Sequence, residues 1–340
     1  MNDAAPPTRT GPLIVIPTLN EARNIGPLLE LLMTEARLLG GHIVVVDGGS
    51  TDSTAAIAAG YAERHEIVSL LHNPRRLQSA AMNLAVRELG AGRRYVIRID
   101  AHGGYPRDYC RALLREAETM GADSVVVPMK TVGFGLFQSA VATAQNSMVG
   151  TGGASHRTGN GGKWVEHGHH ALMSIAAFEQ IGGYDETFRA NEDAELDFRL
   201  RQAGYHIWLT AGTHMAYYPR SSPAALFRQY LNYGRGRARN VLKHRAMPRI
   251  RQLAPLAVVP AAALAVLSVF HWSAALPLLC WALLCLALGG LAAMEHRQVQ
   301  SVPVGGVPLV GLAAMIMHFA WSLGFWTQLA RTIGRRQASN

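Results

Sequence analysis

Cysteine is scarce in these 340 residues: Cys110, Cys280 and Cys285 make no paired framework and no C-x-x-C. The soluble part therefore reads as belonging to a reducing compartment, not to the disulfide-stapled secreted class. The N-terminal stretch lacks a basic region leading into an apolar core, and Leu13 to Ile16 is too short for a signal peptide. The first domain is expected to stay in the cytoplasm. No Gly-Lys-Ser/Thr loop and no G-x-G-x-x-G fingerprint is present, which argues against Walker-type and dinucleotide-binding readings. Acid is the most unevenly missing chemistry. Residues 198–340 carry 15 Lys+Arg and a single acid, Glu295, for a balance of +14, whereas residues 1–197 balance at −5. That asymmetry points to a polyanion or a membrane face, and the apolar C-terminal third decides for the membrane, with no nucleic acid expected.

What is present begins as repeated strand–helix units. Apolar strands are predicted at Leu13 to Ile16, His42 to Val46, Ile67 to Leu71, Tyr95 to Ile99 and Ser124 to Val127. Helices fill the gaps, running to about Leu39 and over Thr51 to Ala62, Leu77 to Leu89 and Tyr105 to Met120. Near-continuous apolar strands in such units argue an α/β fold with a doubly wound, mostly parallel sheet. Ligands bind such sheets beyond the carboxyl ends of the strands, where three polar clusters collect: Thr18 to Glu21, Asp47 to Asp52 and Asp100 to His102. Residues 131–170, rich in Gly and polar side chains, read as a mobile loop over that edge. A helix near Ala194 to Ala203 and a strand at Tyr205 to Leu209 follow.

The C-terminal part divides into a basic amphipathic helix region at 222–252, apolar runs within 253–330 and a basic tail at 331–340, after a catalytic domain of 1–221. Phe227, Tyr230, Leu231, Ala238, Val241 and Leu242 form an apolar stripe among Arg228, Arg235, Arg237, Arg239, Lys243 and Arg245. Such a helix suits an anionic inner leaflet. Apolar runs near 254–270, 274–294 and 303–330 predict two to three membrane segments. Arg249 and Arg251 place the entry on the cytoplasmic side, and Arg331, Arg335 and Arg336 favour the same side for the C-terminus, whereas three crossings would put it outside.

Three carboxylate clusters carry the chemistry. Asp100 and His102, at i and i+2 past a buried strand, can face one site and hold Mg²⁺ or Mn²⁺ on a diphosphate. Asp47 can accept a pyrimidine N–H or a ribose hydroxyl while Gly48 and Gly49 let ligand approach the backbone. Asp193, in Asn191-Glu192-Asp193, can serve as general base for direct transfer to an acceptor hydroxyl, with Arg199 bracing the fold. His156, His169 and His170 raise the question of a second metal. Adjacent histidines do not share a helix face, so acceptor contacts are the preferred reading of His169. Arg235 and Arg237 could supply cations to a diphosphate, or face lipid headgroups.

Pro17 to Glu21, Val46 to Asp52, Asp100 to His102, Gly182 to Glu186 and Glu192 to Leu196 together resemble glycosyltransferase family 2 over about 200 residues. Arg98 to Pro106 with Tyr233 to Arg237 resembles its succinoglycan-biosynthesis glucosyltransferase branch. The resemblance implies a GT-A fold, inversion and a UDP-sugar. It makes Pro17, Thr18, Glu21, Asp47 and Asp100 the donor side, with Asp47 on uracil. Asp100 and His102 become the metal ligands, Asp193 the base, and Glu192, His169, Arg235 and Arg237 acceptor or diphosphate contacts. No Gln-x-x-Arg-Trp motif of processive synthases is present, so single transfer is favoured. The expected reaction moves one hexose, glucose first, onto a polyprenyl-diphosphate-linked glycan at the bacterial inner membrane, with other polysaccharide-assembly proteins as candidate partners. Two alternatives are transfer to polyprenyl monophosphate and a non-catalytic nucleotide-sugar-binding scaffold.

Overall fold

The computed structural model describes residues 11–153, 161–246, 250–296 and 302–338. His156 and Arg249 lie outside the described residues. The chain divides into two compact units, Met1–Met129 with Asn160–Ala216, and Lys130–Gly159 with Tyr217–Asn340. Residues 130–153, inside the expected catalytic span of 1–221, thus fold with the C-terminal unit.

In the first unit the strands are β1 (Leu13–Thr18), β2 (His42–Asp47), β3 (Val68–His72), β4 (Tyr95–Arg98), β5 (Ser124–Val127), β7 (Lys163–Val165), β8 (His169–Ser174) and β9 (Ile207–Leu209). They form one sheet in the order β3-β2-β1-β4-β8-β5-β9-β7. The first four strands are parallel, while β8 runs antiparallel between β4 and β5 and β7 runs antiparallel to β9. The doubly wound expectation therefore holds, with a mixed far half. A separate two-stranded ribbon pairs β6 (Met129–Thr131) with β10 (Met215–Tyr217). The helices are α1 (Ile25–Leu39), α2 (Thr54–Arg64), α3 (Gln78–Leu89), α4 (Tyr109–Met120), α7 (Ile175–Gln180) and α8 (Glu192–Gln202). Strands β1, β2 and β4 are buried almost throughout, which is why they read as unbroken apolar runs. On one face, Met82, Ala85 and Val86 of α3, Phe178 of α7 and Leu196 and Leu200 of α8 pack with Val15, Val44, Val96 and Met173. This single core holds α3 and α8 over the carboxyl ends of β1 and β4.

The second unit is helical: α5 (Leu136–Gln145), α6 (Met148–Thr151), α9 (Pro223–His244), α10 (Ile250–Leu256), α11 (Val258–Ala265), α12 (Leu276–Glu295) and α13 (Val307–Ala338). The expectation of a mobile loop over 131–170 is corrected. Phe137, Ala140, Val141 and Ala144 recur at helical spacing and pack with Ala292, Val310, Ala313 and Met317, so α5 folds on the C-terminal helices; β7 and β8 occupy the later part. Ser222 caps α9, its Oγ accepting from the Ala225 N–H at 3.3 Å, and Pro223 opens the helix. Three stretches are long and apolar enough to cross a membrane: Gln252–Val269, Trp272–Glu295 and Val307–Gly334.

Candidate active site

The site lies at the carboxyl ends of β1, β2 and β4, beside the first turn of α8. Its centre is Arg98, the last residue of β4, whose side chain is 4% exposed. Arg98 donates from Nε to Asp100 Oδ1 at 3.0 Å and from Nη1 to Asp193 Oδ1 at 2.7 Å. One guanidinium therefore ties together the two carboxylates that the sequence assigned to separate tasks. Gln78, at the start of α3, donates to Asp100 Oδ1 at 2.7 Å, and the Tyr184 hydroxyl donates to Asp193 Oδ1 at 3.1 Å. His169 stands between the carboxylates, with Nε2 3.5 Å from Asp100 Oδ2 and Nδ1 4.0 Å from Asp193 Oδ2.

The backbone builds this geometry locally. Asn191 sits at φ 64°, a left-handed position that Asn tolerates, and turns the chain so that Glu192 and Asp193 open α8. Gly183, at φ 66°, lets Tyr184 reach back, and Asn83 grips that residue with its amide at both backbone groups, 2.8 and 2.9 Å.

The charge states follow from the network. Burial alone would raise the Asp100 pKa, but the Arg98 charge, aided by His169, outweighs it and holds the carboxyl well below its usual range. Burial also pushes Asp193 upward, and Arg98, His170 and His169 overturn that and keep it lowered. Burial opposes the charge on Arg98, while Asp100 and Asp193 together raise its pKa far above normal. Glu192 goes the other way: burial, then the neighbouring Asp193 charge, lift it to about 7. Two adjacent carboxyls whose pKa values are pushed in opposite directions are a recurring arrangement at catalytic centres.

Behind the site, Asp197 lies one helical turn beyond Asp193 and is 1% exposed. It pairs with His167 Nδ1 at 2.6 Å and His170 Nε2 at 2.9 Å, and accepts from the Gly168 N–H at 3.3 Å. His169 and His170 alternate along β8, one facing Asp100 and Asp193 and the other Asp197. Tertiary packing thus sets acids distant in sequence beside both histidines.

The remaining residues fall as follows. His102 is 51% exposed and its Nδ1 lies 3.0 Å from Glu21 Oε1. Burial raises Glu21 and the His102 hydrogen bond overturns this, so its pKa is lowered. Pro17 and Thr18 end β1. Asp47 is buried, and its carboxylate accepts from the Gly49 and Ser50 N–H groups at 2.9 and 3.0 Å and from Ser50 Oγ at 2.5 Å. Asp47 thus folds its own loop. Arg199 donates to Glu195 at 2.6 and 2.8 Å and to the Ile181 carbonyl, a brace as expected. Arg235 and Arg237 belong to α9 in the second unit. Among the described residues no three His, Cys, Asp or Glu side chains converge as a metal cage. Asp100 and His102 are donors of the type that Mg²⁺ or Mn²⁺ takes, but with Glu21 they do not form a three-residue cage.

Sequence reasoning missed Arg98, Gln78, Tyr184 and Asp197. Arg98 carried a signal: a cation inside the apolar Tyr95 to Ile99 strand must find a buried counter-charge.

A nucleotide-type sheet whose strand-end Asp100 is linked through Arg98 to Asp193 at the start of α8 fits a transferase acting on an activated donor. Residues 13–182 match the model of glycosyl transferase family 2, and the chain belongs to that family. It is 56% identical over 322 residues to the succinoglycan biosynthesis protein ExoA of Rhizobium meliloti (strain 1021), covering 95% of this chain and 96% of that one. The fold is similar to that of the mannosyltransferase PcManGT from Pyrobaculum calidifontis, solved with GDP-Man and Mn²⁺. The TM-score is 0.52 at 18% identity over 94% of this chain and 87% of that one.

Proposed function

We propose that this glycosyltransferase moves one hexose, glucose as the leading candidate, from a UDP-sugar to a polyprenyl-diphosphate-linked glycan, with inversion. The setting is exopolysaccharide assembly of the succinoglycan type, at the bacterial inner membrane with the catalytic unit on the cytoplasmic side. The likeness to the succinoglycan protein supports the pathway. The observation that carries the chemistry is the Arg98 bridge between Asp100 and Asp193.

Asp193 takes the proton of the acceptor hydroxyl as that oxygen bonds to the anomeric carbon, and the bond from that carbon to the diphosphate oxygen breaks, releasing the nucleoside diphosphate. Arg98 keeps Asp193 ionised and orients it. Asp47 acts on the nucleoside side through the loop it folds, with Pro17, Thr18 and Glu21 on the adjacent strand end. Asp100 and His102 would hold Mg²⁺ or Mn²⁺, which would neutralise charge on the departing diphosphate. Glu192 and His169 line the acceptor side, and Arg235 and Arg237 supply cations for a diphosphate.

The test is transfer of radiolabelled glucose from UDP-glucose to a bacterial lipid extract by membranes carrying the chain, with the product read by mass spectrometry. Asp193→Asn is expected to slow transfer by about 10²–10⁴-fold, with donor binding retained. Transfer at the normal rate by Asp193→Asn removes the base assignment, and donor binding without any turnover by the unaltered chain favours the scaffold reading.

A further inference from the structure

The helix α13 contains the longest candidate span, 28 residues from Val307 to Gly334, yet its surroundings differ from those of the other two. Of its apolar window 44% is buried, against 11% for Trp272–Glu295 and 6% for Gln252–Val269. Between residues 310 and 325 only Leu312 is exposed. In contrast, α12 exposes Leu279, Leu283, Leu284, Leu288 and Leu291, and the turn before it exposes Phe270 at 78% and Trp272 at 76%.

Two stripes of α13, one residue out of step and so about 100° apart around the helix, meet different neighbours. The first runs through Val310, Ala313 and Met317, which pack mainly with Ala140, Val141 and Ala144 of α5 and Leu226 of α9, and reach Ala292 and Ala293 of α12 at its start. It continues to Trp321 and Gly324. There the helices touch backbone to backbone: a Cβ on Gly234 of α9 would overlap the Trp321 carbonyl, and one on Gly324 would overlap that of Leu231. The second stripe faces the other apolar helices. Gly311 abuts Cys285 and Leu286 of α12, and Ser322 and Trp326 reach the break between α10 and α11. Pro260 has no N–H for the Leu256 carbonyl one turn back, and that carbonyl accepts instead from Ser322 Oγ at 3.1 Å and Trp326 Nε1 at 2.9 Å.

A crossing helix of 28 residues is roughly 42 Å long, and Trp321 to Gly324 lie at its middle. If α13 crossed the bilayer, its midpoint would sit in the hydrocarbon in backbone contact with α9. That would carry Arg235, flanked by Arg228, Arg237 and Arg239, into the least favourable depth for cations. We infer that α13 does not cross: it lies in the plane of the cytoplasmic interface, and only the α10–α12 hairpin enters the lipid. On one side α13 has the basic helix α9 and on the other the uncharged hairpin, as a helix lying between headgroups and acyl chains would. Trp321 and Trp326 then sit at headgroup depth. The hairpin enters and returns, so Glu295 and the basic C-terminal end of α13 stand on the same face as α9, in agreement with the charge of Arg331. The inference rests on membrane association and adds the topology.

Single cysteines at Lys130, Glu295 and Gly334, in a chain whose Cys110, Cys280 and Cys285 are alanine, test this. Each variant is first shown to retain sugar transfer, and Arg331→Cys replaces Gly334→Cys if the latter does not accumulate. A membrane-impermeant maleimide is applied to sealed inside-out and right-side-out inner-membrane vesicles. The expected result is labelling of all three positions from one face only. Labelling of Gly334→Cys from the face opposite Lys130→Cys overturns the in-plane helix. Recovery of the protein in the soluble fraction, labelled regardless of vesicle orientation, overturns membrane association itself and the topology with it.

Discussion

The two units solve the problem of buried polarity in opposite ways. In the sheet-containing unit, Arg98, Asp197 and His170 are buried and Asp100 and Asp193 half-buried, each facing a group of opposite sign within hydrogen-bond reach. In the helical unit the contacts that decide the packing are made by atoms without charge: Gly234 and Gly324 where two helices touch, Gly289 and Gly311 where two others do, and Ser322 on a carbonyl that Pro260 leaves without its helical donor. Buried charge gives the first unit sharp electrostatics at one point, which catalysis uses. Close backbone approach gives the second unit cohesion where the hydrophobic effect between helices is weak, as in lipid.

Five substitutions probe that contrast, in descending order of effect. Arg98→Met leaves Asp100 and Asp193 buried without their cation. It should destabilise the first unit by about 3–5 kcal/mol, read as a lower unfolding midpoint, and abolish transfer; a variant as stable as the unaltered chain would mean that the ion pairs are decorative. Gly234→Ala or Gly324→Ala inserts a methyl into a backbone contact and should cost about 1–3 kcal/mol, seen as lost thermal stability in detergent without a change in the pH profile of any remaining transfer.

Glu192 makes the comparison pH-dependent. Its folded pKa of about 7 lies above the ordinary 4.5, so the folded state retains a proton that the unfolded chain gives up. That contribution is fully present below pH 4.5 and is lost as pH rises toward 7 and beyond. Glu192→Gln should therefore be more stable than the unaltered chain at pH 8, by up to about 3 kcal/mol, and equal to it at pH 4. It should also remove any limb near pH 7 from the rate profile. Equal melting curves at pH 8 would place that titration elsewhere. Smallest is Ser322→Ala, which leaves the Leu256 carbonyl to Trp326 alone. A loss of about 0.6 kcal/mol is expected, measured as a small shift in detergent unfolding with transfer unchanged.

Much of the first unit was legible in the sequence because its strands are buried on both faces and its polar residues cluster at strand ends. β5 was located to the residue, β1 lacked only Pro17 and Thr18, and β4 ran over by Ile99 alone. Helices were harder at their starts: α2 begins at Thr54 with Asp52 bonding Thr54 ahead of it, and α4 begins at Tyr109, because Tyr105 is spent on the Asp100 backbone. Residues 131–170 were misread because glycine and polar flanks masked the short apolar period of α5.

The sequence alone determined the sheet, the family, the positions of the strand-end carboxylates and the apolar, basic character of the C-terminal part, since all of these follow from local periodicity and residue type. Only the tertiary structure decided that Arg98, beside Asp100, also holds Asp193, which lies 95 positions further along the chain. It alone decided that β8 brings His169 between them, and that α13 packs lengthwise between a basic helix and an apolar hairpin. Buried charges choose partners by distance in space, and helices touch wherever small residues admit them, so neither outcome is written in neighbouring positions of the chain.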